Sequence, residues 1–208
     1  MRFTKPAYPT VHFSEKCLVK CPSCDDLGIV LTELGKYTIP FPYNHKSKFN
    51  CMNCGLKNEN KDEWFGYVQG YIGRSCGICG SHINFITQPT KEPFESAVVK
   101  CEACKREKEY SIKWYRFKED KPTDPYFGLE LWLQTNIKGK ILWAYNKDHL
   151  NYLRDYVAAK LREDNGRHKY SMITNLPHWV KSSKNRDIIV KKLNKLDAEL
   201  KNKYSTQQ

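Results

Sequence analysis

Four copies of the pattern C-x-x-C constrain this chain more than any other feature of its sequence. They are CPSC, CMNC, CGIC and CEAC, and they use eight of the nine cysteines among 208 residues. A redox-active pair is normally single and opens a helix of a βαβ unit, whereas these flanks are not of that type. An extracellular disulfide framework needs an export signal. The N-terminal stretch MRFTKPAYPTVHFSEK has no apolar h-region. No apolar run approaches the roughly 20 residues of a membrane span, so we expect a cytoplasmic protein with reduced thiols.

Reduced cysteine pairs at this spacing predict zinc. Zn²⁺ takes four tetrahedral ligands, and two C-x-x-C turns supply two ligands each. Gly55 and Gly80 directly follow two of the pairs and permit the positive φ that such a turn often needs. The sequence therefore predicts two zinc ions per chain. The predicted ligands are Cys21, Cys24, Cys51, Cys54, Cys76, Cys79, Cys101 and Cys104.

The spacing leaves two ways of combining the four pairs. Consecutive pairing puts 26 residues between Cys24 and Cys51, and 21 between Cys79 and Cys101. A nested arrangement stays open, because 21 residues also separate Cys54 from Cys76. We favour consecutive pairing, since the second pair of each unit follows a short strand-like run, SKFN or AVVK. The two units then form an internal repeat of about 50 residues. The unpaired Cys17 is expected to be a small apolar side chain in the strand that leads to the first pair.

Residues 15 to 118, with these motifs, resemble the zinc ribbons, a broad family found in transcription factors, polymerase subunits and replication proteins. The resemblance implies that the eight paired cysteines are metal ligands, and nothing more specific about function. A ribbon of this size buries little apolar surface, so metal binding supplies the missing stability, on the order of 10 kcal/mol per site. Four thiolates close a site, which favours structural over catalytic zinc.

The sequence after the cysteines predicts a different kind of domain. We expect a first zinc ribbon at 1–66, a second at 67–118 and a C-terminal domain at 119–208, which begins in the linker KEDKPTDPYFG. Alternating apolar residues in LELWLQTNIKGKILWAYN, with Gly139 in the turn, predict a β-hairpin. The fold class is therefore α+β: two small β-rich zinc ribbons, followed by a β-hairpin plus a helical C-terminal domain.

Two helices are expected after the hairpin. Asn146 is a suitable N-cap for the first, and Gly166 lies past its predicted end. The apolar face of that helix is predicted to consist of Leu150, Leu153, Val157 and Leu161. The second helix carries a seam of Ile189, Leu193, Leu196 and Leu200. We expect this seam to pack inside the domain; a partner-binding coiled coil is the alternative.

The segments LWLQT, LWAYN and LPHWVKS, which lie between residues 128 and 187, resemble sequences in a family of bacterial zinc-ribbon proteins. Some of these carry labels such as TFIIB-type or primosomal-helicase-like. The resemblance brings no activity and no functional residues with it. This chain has no phosphate-binding loop of the form G-x-x-x-x-G-K-[ST], and thus departs from the helicase label.

Charge indicates a nucleic-acid partner. The formal net charge is +12, and residues 138 to 208 hold 16 basic and 7 acidic side chains, a net of +9. In that region Lys184, Lys191 and Lys195 are predicted to share one helix face. A second basic patch, KREKEYSIKWYRFK, is interleaved with aromatic residues. Its predicted phosphate contacts are Lys113, Arg116 and Lys118, and its predicted base-stacking residues are Tyr110, Trp114 and Tyr115.

The sequence contains few candidate catalytic groups. No histidine in the C-terminal part is spaced to pair with a nucleophile. Asp120, Asp124 and Glu130 resemble a metal-dependent nuclease cluster, but no lysine follows Glu130 at the usual E-x-K spacing. We therefore expect a non-catalytic, zinc-stabilised nucleic-acid-binding or adaptor subunit of a larger bacterial assembly. The alternatives are a protein–protein adaptor that does not contact nucleic acid, and a metal-dependent nuclease.

Overall fold

The structure, a computed structural model, describes residues 2–35, 45–59, 63–117, 121–162 and 170–205. The chain is α+β, with mostly small antiparallel sheets and a long C-terminal helix. Its contacts divide it into two compact units, one formed by Met1–Asp62 with Lys121–Gln208 and the other by Glu63–Asp120. That the three segments expected from the sequence fold independently stays a prediction.

The first unit contains a four-stranded antiparallel sheet in the order β1-β2-β3-β4. The strands are β1 (Lys16–Lys20), β2 (Leu27–Leu34), β3 (His45–Cys51) and β4 (Lys57–Asn58). Leu27, Val30 and Phe49 are buried, and Val30 pairs with Phe49 across β2 and β3. Gly28 is required beside Phe49, because a Cβ atom there would come within 2.5 Å of the phenyl ring.

The outer edge of β1 is covered by backbone from much later in the chain. The Leu18 N–H donates to the Tyr145 carbonyl at 2.7 Å, and the Lys20 N–H donates to the Glu130 carbonyl at 2.8 Å. The Trp132 N–H donates in turn to the Leu18 carbonyl at 2.9 Å. These bonds satisfy the edge of the sheet and join it to the C-terminal part of the same unit. Cys17 lies in β1 and is fully buried, as expected.

The predicted hairpin is present as β10 (Leu133–Ile137) and β11 (Lys140–Ala144). Lys138 and Gly139 form the turn, with φ of 52° and 80°. Two successive residues with positive φ are typical of a two-residue turn whose twist matches that of the strands.

The helices are α1 (Lys147–Ala158), α2 (Met172–Asn175), α3 (His178–Lys181) and α4 (Arg186–Ser205), with short 3₁₀ helices at Thr10–Phe13 and Ser183–Asn185. Asn146 caps α1 as predicted, since its side-chain oxygen accepts the His149 N–H at 2.9 Å. The predicted seam of α4 is buried and packs within the unit against α1 and β10.

The extension of the first helix to Leu161 is wrong. α1 ends at Ala158, and Leu161 is 57% exposed and bridges to Arg2 instead. The Arg162 guanidinium donates to the carbonyls of Val157 and Ala159 at the helix end, and the Arg186 side chain also donates to the Val157 carbonyl. Gly166, the predicted stop, lies outside the described residues.

The second unit contains two small sheets, in the orders β6-β5-β9 and β7-β8. The strands are β5 (Val68–Ser75), β6 (His82–Ile86), β7 (Ser96–Lys100), β8 (Glu107–Ser111) and β9 (Lys113–Arg116). Its core is a cluster of six buried residues: Ile72, Cys76, Ile83, Val99, Cys101 and Tyr110. Two of the six are cysteines, so apolar burial alone provides little stability to this unit.

Within the described residues, no helix is long and apolar enough to cross a membrane.

Asp124 organises the loop before the hairpin. Its carboxylate is fully buried. One oxygen accepts the backbone N–H groups of Tyr126 and Phe127, at 2.9 and 2.8 Å, and the other accepts the Leu129 N–H at 2.6 Å. This carboxylate thus satisfies three N–H groups that are turned away from solvent.

We expect Asp124→Ala to lower the free energy of unfolding by about 3 kcal/mol, because it leaves buried donors without an acceptor. The exposed Asp148, in the first turn of α1, provides a control: Asp148→Ala should cost only about 0.5 kcal/mol. Urea denaturation followed by circular dichroism measures both. Equal effects of the two substitutions would contradict the role assigned to Asp124.

Candidate metal centres

Each C-x-x-C pair lies in a six-residue loop that closes a β-hairpin. The loops are residues 21–26, 51–56, 76–81 and 101–106, between β1 and β2, β3 and β4, β5 and β6, and β7 and β8. In every loop the N–H of the first cysteine donates to the carbonyl of the sixth residue. The four bonds are Cys21 to Asp26, Cys51 to Leu56, Cys76 to Ser81 and Cys101 to Arg106, at 2.7–2.9 Å. The four loops therefore share one backbone geometry.

The residue after each pair has positive φ. Gly55 and Gly80, with φ of 72° and 78°, confirm the role expected for these glycines. Asp25 and Lys105 adopt the same conformation, with φ of 55° and 60°. The turn therefore selects this conformation even where the residue carries a side chain that disfavours it.

The loops bring the eight cysteines together as two groups of four, which resolves the pairing as consecutive. Cys21, Cys24, Cys51 and Cys54 form the first group, and Cys76, Cys79, Cys101 and Cys104 form the second. Within each group all four sulfur atoms lie within 4.8 Å of one another. The two groups share one arrangement of sulfur atoms. In each group, the first cysteine of each C-x-x-C pair lies closest to the second cysteine of the other pair.

The sulfur separations fit a tetrahedral zinc ion. The shortest are 3.7 Å for Cys21–Cys54, 3.5 Å for Cys24–Cys51, 3.9 Å for Cys76–Cys104 and 3.7 Å for Cys79–Cys101. Four sulfurs at about 2.3 Å from zinc would be about 3.8 Å apart. A disulfide needs about 2.05 Å, so these thiols are not oxidised partners. The two groups fit two Zn²⁺ ions per chain.

Backbone N–H groups favour the thiolate form that zinc needs. The Asp26 N–H lowers the pKa of Cys24 to about 7. The N–H groups of Cys79 and Ile78 lower the pKa of Cys76 to about 6. Each group therefore has at least one thiol that loses its proton near neutral pH, where metal binding competes with protons.

Side chains outside the C-x-x-C motifs brace the loops, and sequence patterns gave no indication of them. The Tyr110 hydroxyl accepts the Gly77 N–H at 3.2 Å, and its ring is 4% exposed. The expectation that Tyr110 stacks on bases is therefore wrong, because the ring belongs to the core of the second unit. In the first unit, Lys203 near the end of α4 pairs with Asp26 at 2.7 Å. Contacts of this kind join residues distant in sequence, which local patterns do not reveal.

The predicted aromatic-basic patch divides between the two faces of β9. Strand register and alternation put Lys113 and Tyr115 on one face and Trp114 and Arg116 on the other. The Trp114 indole N–H donates to the Phe94 carbonyl at 2.9 Å, and Arg116 lies 4.3 Å from the centre of the Trp64 ring. Lys118 lies outside the described residues.

The three predicted C-terminal lysines are all exposed, but they belong to two elements. Lys184 lies in the 3₁₀ helix Ser183–Asn185, whereas Lys191 and Lys195 lie on α4, about one helical turn apart. Lys195 approaches Glu199 at 3.6 Å.

The acidic residues considered as a nuclease cluster have other contacts: Asp124 holds its loop, and Glu130 pairs with Lys20 at 2.6 Å. Asp120 lies outside the described residues.

Metal analysis of the purified protein should give two zinc ions per chain. Cys76→Ser with Cys79→Ser should reduce this to one and unfold the second unit, because its small core depends on the metal. Helical circular dichroism should be largely retained, since all four described helices lie in the first unit.

Cys17→Ala is the matched control for this experiment, because Cys17 is the one cysteine outside both groups. It should retain both zinc ions. A wild-type protein with one zinc or none, or a double variant that keeps two, would contradict the assignment.

Compared with protein-family models, with curated proteins and with solved structures, the chain has no match.

Proposed function

We propose that this protein is a zinc-stabilised, non-catalytic nucleic-acid-binding protein, and that single-stranded nucleic acid binds the open face of the β6-β5-β9 sheet. In this proposal both cysteine groups belong to zinc ribbons. Closed four-thiolate sites leave no coordination position for a substrate, which favours binding over catalysis. Free thiolate ligands persist in a reducing compartment, so we propose a cytoplasmic location.

The open sheet face is the observation that carries this proposal. In the register of β5, Tyr71 lies opposite both Ile86 and Lys113, and Gln69 lies opposite Tyr115. Ile86 and Tyr115 are 56% and 57% exposed. The other side of the same sheet contributes Ile72 and Ile83 to the buried core. The open face is formed by Gln69, Tyr71, Asn84, Ile86, Lys113 and Tyr115, none of which is acidic.

Two tyrosines on this face are suited to stack on bases. The Tyr71 ring lies over Gly73, where a Cβ atom would overlap it, so the ring is held flat along the strand. Tyr71 and Tyr115 are diagonal neighbours on adjacent strands, about 7–8 Å apart. That spacing allows each ring to stack on a separate, unstacked base. The exposed Asn84 amide offers donors and an acceptor to base edges, whereas the Gln69 amide already donates to the Thr87 carbonyl at 3.0 Å.

The charge distribution explains how such a face gains affinity. Residues 63 to 120 hold nine basic and eight acidic side chains, so Lys113 provides a local phosphate contact on a nearly neutral unit. The general electrostatic attraction comes from residues 138 to 208, with their net charge of +9. Trp114 and Arg116 stay predicted contacts on the opposite face of the sheet.

Tyr71→Ala and Tyr115→Ala should each weaken binding of an oligo(dT) or oligo(U) strand by about 1–3 kcal/mol, because each removes one stacking surface. Fluorescence anisotropy with a labelled oligonucleotide measures this, and thermal unfolding monitors stability. Tyr170→Ala is the control, since Tyr170 is 86% exposed and lies in the other unit. The proposal would be contradicted if the wild-type protein bound neither oligo(dT) nor oligo(U) at low salt.

Changing Lys184, Lys191 and Lys195 to Glu should weaken binding equally for all base sequences. The slope of log affinity against log salt should fall, because the positive charge that attracts the phosphates is reduced. A titration of salt between low and physiological concentration measures the slope. An unchanged slope would show that these lysines do not contribute to the attraction of nucleic acid.

A further inference from the structure

The first unit contains a small apolar cavity. It involves none of the residues of the proposed nucleic-acid face, which lies in the second unit. It lies between β11, α1 and the short helices α2 and α3, and it has a volume of about 140 Å³. Among the residues that line it are Ile141, Trp143, His149, Met172, Leu176 and Trp179. None of the described residues that line it is acidic.

The volume decides what kind of group fits. Pockets for complete small-molecule ligands measure about 300–1,000 Å³. A cavity of about 150 Å³ accommodates a single benzene-sized ring. The cavity therefore matches one aromatic side chain rather than a cofactor or metabolite.

His149 supplies a hydrogen-bond donor in this apolar wall. The residue is 2% exposed, and the Phe13 ring stacks on it with 4.7 Å between ring centres. Its Nδ1 accepts the Tyr145 N–H at 3.2 Å, and burial lowers its pKa to about 3. The ring is thus neutral at pH 7 and carries its proton on Nε2. This N–H has no hydrogen-bond partner among the residues that the structure describes, so a guest with an oxygen acceptor would satisfy it.

Three lysines lie close to residues of the cavity wall, although none of them lines the cavity itself. The Lys140 ammonium lies 6.0 Å from the centre of the Trp179 ring. Lys138 donates to the Asn185 side chain at 3.0 Å, and Asn185 in turn donates to the Trp179 carbonyl at 2.9 Å. Lys181 donates to the Thr174 carbonyl at 2.7 Å, next to the cavity wall. A guest with acidic neighbours would be attracted to this rim.

We propose that this cavity binds a tyrosine side chain of a partner peptide whose neighbouring residues are acidic. The tyrosine ring packs against Trp143 and Trp179, and its phenolic oxygen accepts the Nε2–H of His149. The acidic neighbours meet Lys138, Lys140 and Lys181 at the rim. The surface would thus serve a protein partner, whereas the open sheet face in the other unit would serve nucleic acid.

The matched probes p-cresol and toluene test the cavity with the full-length chain. Ligand-observed NMR should show that p-cresol binds more tightly than toluene, because only p-cresol offers an oxygen to Nε2–H. His149→Phe should remove this preference. No binding of p-cresol, or equal binding of both probes to the wild type, would overturn the assignment.

A substitution at the mouth avoids disturbing the core. Ile141 lines the cavity and is 39% exposed, so Ile141→Trp should block it and abolish p-cresol binding. Ile188→Trp is the control, because Ile188 has a similar exposure of 36% but lies on α4, away from the cavity lining. An Ile141→Trp protein that still binds p-cresol would locate the binding elsewhere and overturn the proposal.

A labelled, acetylated five-residue peptide with a central tyrosine flanked by glutamates tests the rim. It should bind more tightly than the same peptide with flanking lysines or a central alanine. Lys140→Glu should weaken the glutamate peptide by up to about fivefold, the range of one exposed ion pair, and Lys191→Glu should have no effect. Equal binding of the glutamate-flanked and the lysine-flanked peptide would overturn the proposal.

Discussion

The closure of four six-residue loops around two groups of thiolates is the constraint on which this structure depends. Within each group the closest sulfurs are separated by 3.5–3.9 Å, a distance that fits a shared metal ion and is too long for a covalent bond. In the second unit two of the six core residues are metal ligands. The metal site and the hydrophobic core are therefore one structure there, and strands β5 to β9 are held in register by it.

The same type of loop connects strands of one sheet in the first unit and strands of two separate sheets in the second. In the first unit, β2 and β3 pair directly, so both loops close one continuous sheet whose β1 edge is covered by Glu130, Trp132 and Tyr145. In the second unit the hairpins belong to separate sheets. This leaves one face of β6-β5-β9 open, with Tyr71 and Tyr115 on it. We propose the open aromatic face as the surface for nucleic acid and the cavity of the first unit as the site for a peptide tyrosine.

Several local features were predictable because their causes lie within a few residues. Asn146 caps α1, Gly139 forms the hairpin turn, and Gly55 and Gly80 adopt positive φ. The same reasoning failed for Leu161, since the end of α1 is set by Arg162 and by the bridge to Arg2. It also failed for Tyr110, whose hydroxyl holds a loop 33 positions earlier in the chain. Helical periodicity and aromatic content contain no information about partners that distant.

The sequence by itself determined the chemistry of the metal centres: eight thiols in four short turns, enough for two closed zinc sites. It determined this because each C-x-x-C turn is a local structure that presents two sulfurs to one point. Only the tertiary structure decided which turns share a site and which side chains of KWYR face solvent. It also decided that His149 lines a cavity. These properties arise from strand pairing and helix packing between distant segments, where many registers suit the same local pattern and burial selects one.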